Sequence, residues 1–287
     1  MRRGLLLAAG GTALALTALQ ASGIAARAAE ALAPQVDFAL TGQLTQGGWA
    51  RGIAPKDATL TFNGKAVELA ADGRFFIAFD RDAGVSAQLV ARLADGREAA
   101  RTLTIAPRAW QIEHIPLGPK PGTPPNPEFQ KRRDAELAQI KAARSVSHET
   151  DGWRQNFIWP VRGRLSGKFG SQRIYNGTPG SYHSGMDIAT GASGTPFVAP
   201  ADGVVILAAA SPFTLEGNLL MIDHGMGLNS AFLHCSKLAV KVGDVVHQGQ
   251  YIGNIGMTGR ATGPHLHWSI KWGDARLDPL LFTGPMK

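Results

Sequence analysis

Apolar and polar positions alternate in short runs along much of this chain. Ala58-Thr59-Leu60-Thr61-Phe62 alternates and then meets Asn63-Gly64, the dipeptide favoured in two-residue hairpin turns. Lys65 to Leu69 continues the ladder, and Ala71-Asp72-Gly73 turns into Arg74-Phe75-Phe76-Ile77-Ala78-Phe79. Ala87 to Leu93, Asp95-Gly96 and Ala99 to Ile105 give a second hairpin. Short strands at this spacing predict a small β-sandwich-like domain over residues 36–107. Nothing ionisable clusters within it, so it reads as a spacer or a docking module.

The rhythm then breaks. Pro116 to Pro125 is rich in proline and glycine and reads as a semi-rigid linker. Glu128 to Val146 is built of helix formers, with Phe129, Leu137 and Ile140 as a thin apolar stripe. Residues 108–152 are therefore expected to be a linker and one helix. That helix either packs along a domain surface or lies over the functional groove and restrains it. From Trp153 the β-prone runs return: Phe157 to Val161, Val198 to Ala208, Leu219 to Asp223, Asn229 to His234 and Val245 to Ile255, with glycines between them. These intervals are too short for parallel crossovers. Residues 153–287 are expected to form an antiparallel domain, and the fold class is all-β.

The first residues follow a different logic. Arg2 and Arg3 precede an apolar run from Leu5 to Leu19, and Ala26-Arg27-Ala28 offers a small-x-small cleavage site. The run is short of the about 20 residues a membrane helix needs. A signal peptide over residues 1–28 is expected, with export to the periplasm or cell envelope and no stable membrane span after cleavage. Losing Arg2, Arg3 and Arg27 leaves 26 basic residues against 22 acidic, a net charge of +4. A modest positive excess favours an anionic partner such as a wall polymer. The basic residues are scattered without interleaved aromatics, which argues against nucleic acid.

Cys235 is the single cysteine, so no internal disulfide is available. It follows His234, but neighbours on a strand face opposite ways, and the thiol is expected in the core. Apart from His114 and His148, every histidine lies in the last hundred or so residues. His265 and His267 sit two apart on an extended stretch, so both rings face one side with Cα atoms about 6–7 Å apart. Both could bind one metal, or one could bind while the other stands behind it. His183 and Asp187 are four apart, but Gly177, Pro179, Gly180 and Gly185 oppose a helix there. A turn entering a strand is the better reading. Imidazole plus carboxylate without thiolate is the donor set of a catalytic zinc rather than a structural one.

Four blocks in order resemble the lysostaphin-type (LytM-like) zinc metallopeptidases. They are His183-Ser184-Gly185-Met186-Asp187, then Gly194-Thr195-Pro196 through Ala201-Asp202-Gly203, then Asp223-His224-Gly225 with Phe232-Leu233-His234, and finally Thr262-Gly263-Pro264-His265-Leu266-His267. The resemblance covers about Trp159 to Asp278. It implies an antiparallel β domain with an open groove, one zinc ion per chain, and peptidoglycan stems or crosslinks as substrate. It assigns His183, Asp187 and His267 as zinc ligands, His234 and His265 as catalytic histidines, and His224 as structural. His247 has no partner pattern and is expected to be exposed. The sequence departs from many relatives in having Phe232 where they carry tyrosine, and Trp268-Ser269 directly after the histidine pair. Both changes are expected to alter groove shape or rate.

An exported zinc metalloendopeptidase is thus the expected function. The alternative is a non-catalytic regulator of another cell-wall hydrolase, but such relatives lose ligands and all five candidate residues are present here. A third reading gives the β-sandwich-like unit the main role, as a wall-binding module.

Overall fold

The computed structural model describes residues 38–116, 126–209 and 211–286. The expected leader, residues 1–28, and most of the proline-rich stretch lie outside these residues. Among the described residues no helix is long and apolar enough to cross a membrane.

Residues 38–106 form two small antiparallel sheets. Thr41–Gly42, Trp49–Ile53 and Arg74–Ala78 make one; Lys65–Val67, Thr59–Phe62, Ser86–Arg92 and Glu98–Thr104 make the other. Asn63 and Gly64 take positive φ of 48° and 77°, as the mirror-image hairpin turn requires. Alternate residues Leu60, Phe62, Leu89 and Leu103 of one sheet meet Ala50, Phe75 and Ile77 of the other in a shared core. The expected β-sandwich-like unit is present.

The C-terminal part is organised by one large antiparallel sheet. Its strands run in the order Val245–Val246, Gly203–Ala208, Asn218–Asp223, Leu228–Cys235, Leu266–Trp272, Met186–Ala189 and Arg164–Gly167. Ala275–Leu277 pairs with Leu266–Trp272 away from this path. Register decides what each face carries, because side chains alternate. Leu266, Trp268 and Ile270 enter the core with Leu220, Ile222 and Phe232. His267, Ser269 and Lys271 therefore point the other way. Trp268 and Phe232 lie opposite each other in the ladder and stack with ring centroids 6.5 Å apart. Each large side chain buried in this way contributes roughly 1.5–3 kcal/mol.

Two expectations need correction. Phe157 to Val161 forms no strand: Phe157 is buried against His224 and Phe282, and Trp159 packs on Trp268, while Pro160 has no N–H for a ladder. The helix runs over Pro127–Arg144, capped by the Asn126 side chain on the Glu128 amide. Its inward face is Glu136, Ile140 and Ala143, whereas Phe129 and Leu137 are exposed at 41% and 45%. The apolar stripe misled because Glu136 is satisfied in place: it accepts from the Thr214 amide and hydroxyl, both at 2.7 Å, and from Arg132 at 3.0 Å. Ile140 and Ala143 lie on Ile206, Leu219, Met221 and Ala231. The helix thus covers part of the face from which His267 projects.

The two sheet regions are closely joined. Trp49 and Phe76 of the first unit pack on Phe282, and Phe76 on Trp272. Ile112–Ile115, in the segment expected to be linker, is a strand pairing in parallel with Gln172–Tyr175.

Candidate metal centre

Two strands and one loop bring the candidate ligands together. Asp187 on Met186–Ala189 lies opposite His267 on Leu266–Trp272, so both side chains leave the same face. His183 sits in the loop before Asp187. That loop folds back on itself: the Gly170 amide donates to the His183 carbonyl and the His183 amide to the Ser171 carbonyl, each at 2.8 Å. Two glycines leave room for the ligands. A Cβ on Gly167 would lie 2.3 Å from Asp187 Oδ2, and one on Gly185 would lie 2.6 Å from His267 Nε2.

His183 Nε2, Asp187 Oδ1 and His267 Nδ1 form a triangle with sides of 3.0, 3.1 and 2.8 Å. Ligand atoms around a tetrahedral zinc at about 2.0–2.1 Å stand about 3.3 Å apart. The triangle needs to open by only a few tenths of an ångström, so the donor set and spacing fit a small divalent ion. Among the described residues this is the group with metal-binding geometry.

Backbone carbonyls orient the surrounding rings. His183 Nδ1 donates to the Lys168 carbonyl at 3.1 Å, which leaves Nε2 for a metal. His234 Nδ1 donates to the Thr258 carbonyl at 2.8 Å, and His265 Nδ1 to the Gly263 carbonyl at 2.9 Å. Both of these keep Nε2 available. The His234 and His265 rings are 4.8 Å apart, and His265 Nε2 is 3.7 Å from Asp187 Oδ1. The structure therefore gathers all five residues singled out in the sequence, with two rings beside the triangle rather than in it. His234 has φ of +64°, a left-handed conformation that is costly for a side chain with a Cβ and concentrates at functional sites.

The electrostatics follow from burial and charge. Burial disfavours the ionised Asp187, but hydrogen bonds from His183 and His267 and their charges outweigh it and hold the carboxyl far below its usual range. Burial opposes the charged form of His183, yet its bond to Asp187 wins and raises it. Burial dominates at His267 and lowers it despite the same carboxylate. Burial also lowers His234, reinforced by His265 and His267 against the bond to Thr258. A neutral His234 ring with a free Nε2 can accept a proton.

The remaining candidates separate clearly. His224 is fully buried, with Nδ1 2.7 Å from the Asp202 carbonyl and Nε2 2.8 Å from Ser230 Oγ, and burial pushes it down to about 4. His247 is exposed, its side chain at 75%. Cys235 is buried and its thiol is pushed up to about 12, leaving it inert. Phe232 and Trp268 point into the core, so of the departures from the family only Ser269 reaches the groove. A direct effect on groove shape therefore falls to Ser269 rather than to Phe232 or Trp268. Sequence reasoning missed Gly167, Arg81 and Glu216. Arg81 of the first unit donates to the Gly170 carbonyl and to Gln172, both at 3.0 Å, steadying the loop of His183. The Glu216 carbonyl accepts from the His234 amide at 2.8 Å. No local pattern marks these residues, since their roles exist only through contacts distant in the chain, such as Arg81 with Gly170, 89 positions apart.

Comparison with known proteins agrees with this geometry. The profile of Peptidase family M23 matches residues 181–279. The peptidoglycan DD-endopeptidase ShyA of Vibrio cholerae is 41% identical over 108 residues, 37% of this chain and 24% of that protein. The cell division protein DipM of Caulobacter vibrioides is 31% identical over 136 residues, 47% of this chain and 21% of that protein. The chain thus spans about a quarter of the length of the curated relatives it matches. The crystal structure of a candidate peptidase M23 from Pseudomonas aeruginosa superposes with a TM-score of 0.65 at 30% identity, covering 85% of this chain and 96% of that one.

Proposed function

Because this chain belongs to peptidase family M23, we propose that it is an exported zinc metalloendopeptidase that hydrolyses peptide bonds in peptidoglycan stems or crosslinks. The observation that carries the proposal is the His183–Asp187–His267 triangle with two further histidines beside it. His183, Asp187 and His267 would hold one zinc ion. Zinc in such a site supplies a Lewis acid and lowers the pKa of water toward about 7.

The rest falls to the protein. His234, kept neutral by burial and fixed by Thr258, receives the proton of the attacking water at Nε2. His265, fixed by Gly263, presents its Nε2 to the developing oxyanion or the leaving amine. The carbonyl anchors on His183, His234 and His265 hold three rings in place before substrate arrives, so little reorganisation is left to the reaction.

Metal analysis of the zinc-loaded protein and mass spectrometry of digested wall muropeptides, with a His265→Ala control, test the reading. One zinc per chain and new muropeptides absent from the control are expected. Zinc far below one per chain, or full activity in His183→Ala, would sink it and leave the regulator of another wall hydrolase.

A further inference from the structure

A groove of about 210 Å³ runs between the helix and the strands of the metal centre. His267, Ser184 and Ser269 line one side, and Arg144 of the helix lines the other. Lys271 and Arg276 complete its basic wall. Among the described residues Glu216 is the one carboxylate lining this groove, and Arg133 grips it through two bonds of 2.6 and 2.8 Å. The three other cations are left without an acidic partner. Arg144 donates only to the neutral Asn229 side chain, at 3.2 Å. Arg276 donates from its guanidinium to the Tyr182 hydroxyl at 3.3 Å. Lys271 makes neither a side-chain hydrogen bond nor an ion pair, and Asp80 and Asp274 act on it only from a distance.

Such a cluster is unfavourable as it stands. Burial, then Arg144, then Arg276 lower the pKa of Lys271, and burial followed by Arg276 lowers that of Arg144 against the opposing charge of Glu216. A structural role explains part of it, because a cation at a helix C-terminus complements the dipole and Arg144 ends the helix. It does not explain Lys271, which stands mid-sheet on the polar face, in register with Asn229. Two half-buried cations, Arg144 and Lys271, with the exposed Arg276 beside them, call for an anion. His267 lines the same groove, so an anion held there would sit beside the candidate metal centre.

We propose that Arg144, Lys271 and Arg276 form a subsite for a free carboxylate of the peptide substrate, adjacent to the bond that is cut. The proposal rests on the reading of the chain as a wall-peptide hydrolase and deepens it. The subsite makes peptides with a free carboxylate better substrates than their amidated counterparts, and it gives the helix a direct part in selection.

The test uses two synthetic stem peptides, identical except that the carboxylates are free in one and amidated in the other. Binding to the zinc-loaded protein is followed by fluorescence anisotropy, and digestion of whole sacculi is measured in parallel. The free-carboxylate peptide should bind about tenfold more tightly, as expected for one or two charge-assisted contacts. Lys271→Met and Arg276→Gln should each shrink that preference severalfold while leaving the amidated peptide unchanged, and Lys271→Arg should restore it. Equal binding of the two peptides by the wild type overturns the subsite, as does a preference that survives both substitutions. A uniform loss for both peptides, the mark of a folding defect, also counts against it unless Lys271→Arg recovers the discrimination. If sacculi are cut while neither peptide is discriminated, the subsite fails and the peptidase reading stands. If sacculi are not cut at all, the peptidase reading fails on its own evidence.

Discussion

The two faces of the large sheet use the same strands for opposite ends. On Leu266–Trp272 the even-numbered residues Leu266, Trp268 and Ile270 are fully buried in an apolar core, while His267, Ser269 and Lys271 meet the groove. The core face tolerates exchange among apolar residues of similar volume. The groove face does not, because each of its residues is defined by the atom it presents at one position. A strand pinned by its core side chains cannot slip, since moving by one residue would bring His267 into the core and Trp268 into water. The packing of one face thereby fixes which side chains the other presents.

The sharpest way to break this division is to remove a ligand. His183→Ala or Asp187→Ala should leave the fold intact, because neither belongs to a hydrophobic core, yet reduce zinc content and wall cleavage by more than the about 10–100-fold that outer-shell changes cost. Metal analysis beside thermal unfolding checks both halves, and a folded variant that keeps its zinc would refute the ligand set. The converse change is Trp268→Ala. It removes the largest fully buried side chain among the described residues and should cost about 3–5 kcal/mol in denaturant unfolding. Loss of activity without loss of stability would mean that the core face is not the clamp it is taken to be.

The buried and groove-side histidines differ in a way that pH can expose. His224 has both ring nitrogens satisfied and is held neutral, at about 4 against an ordinary 6.5. Below 6.5 the unfolded chain takes up a proton that the folded chain refuses, so stability falls as pH drops from 6.5 to 4. The loss from this group approaches about 3 kcal/mol at the acid end. A pH series of unfolding free energies should show that slope, and His224→Gln should lack this part of it. Identical slopes in the two proteins would reject a neutral buried ring.

How much of this was legible in the sequence depended on the range of the signal. Hairpins such as Thr59–Phe62 with Lys65–Val67 announced themselves because the turn residues lie beside their strands. The His265 and His267 pair could be placed on one face by strand periodicity, but which ring met the metal could not be decided by spacing, and the family resemblance supplied that assignment. The helix was read in the right place with its inward face only partly right: Ile140 is buried, but Phe129 and Leu137 are not, because a buried Glu136 is satisfied by Thr214 and Arg132, and Thr214 is 78 residues away. Arg81, which holds the loop of His183 from a turn of the first unit, had no signal at all. Its replacement by Met should lower activity severalfold with the amount of zinc bound little changed, as measured at saturating metal.

The smallest expected effect concerns whether the helix restrains the groove or supports it. Glu136 holds the Thr214 amide, and Arg133 holds Glu216, whose carbonyl receives the His234 amide. These contacts fix the loop that aligns a proposed catalytic ring, and Arg144 reaches the groove from the same helix. A restraint would instead need the helix to cover the ligands, but its buried residues lie on Ile206, Leu219, Met221 and Ala231. Arg133→Gln should therefore lower the turnover rate about two- to fivefold, with a stability loss of about 1–3 kcal/mol for a largely buried charge-assisted pair. Truncation to about residue 150 should also lower the rate, since it bares the apolar patch and frees the loop. A faster enzyme in either experiment would show that the helix acts as a restraint.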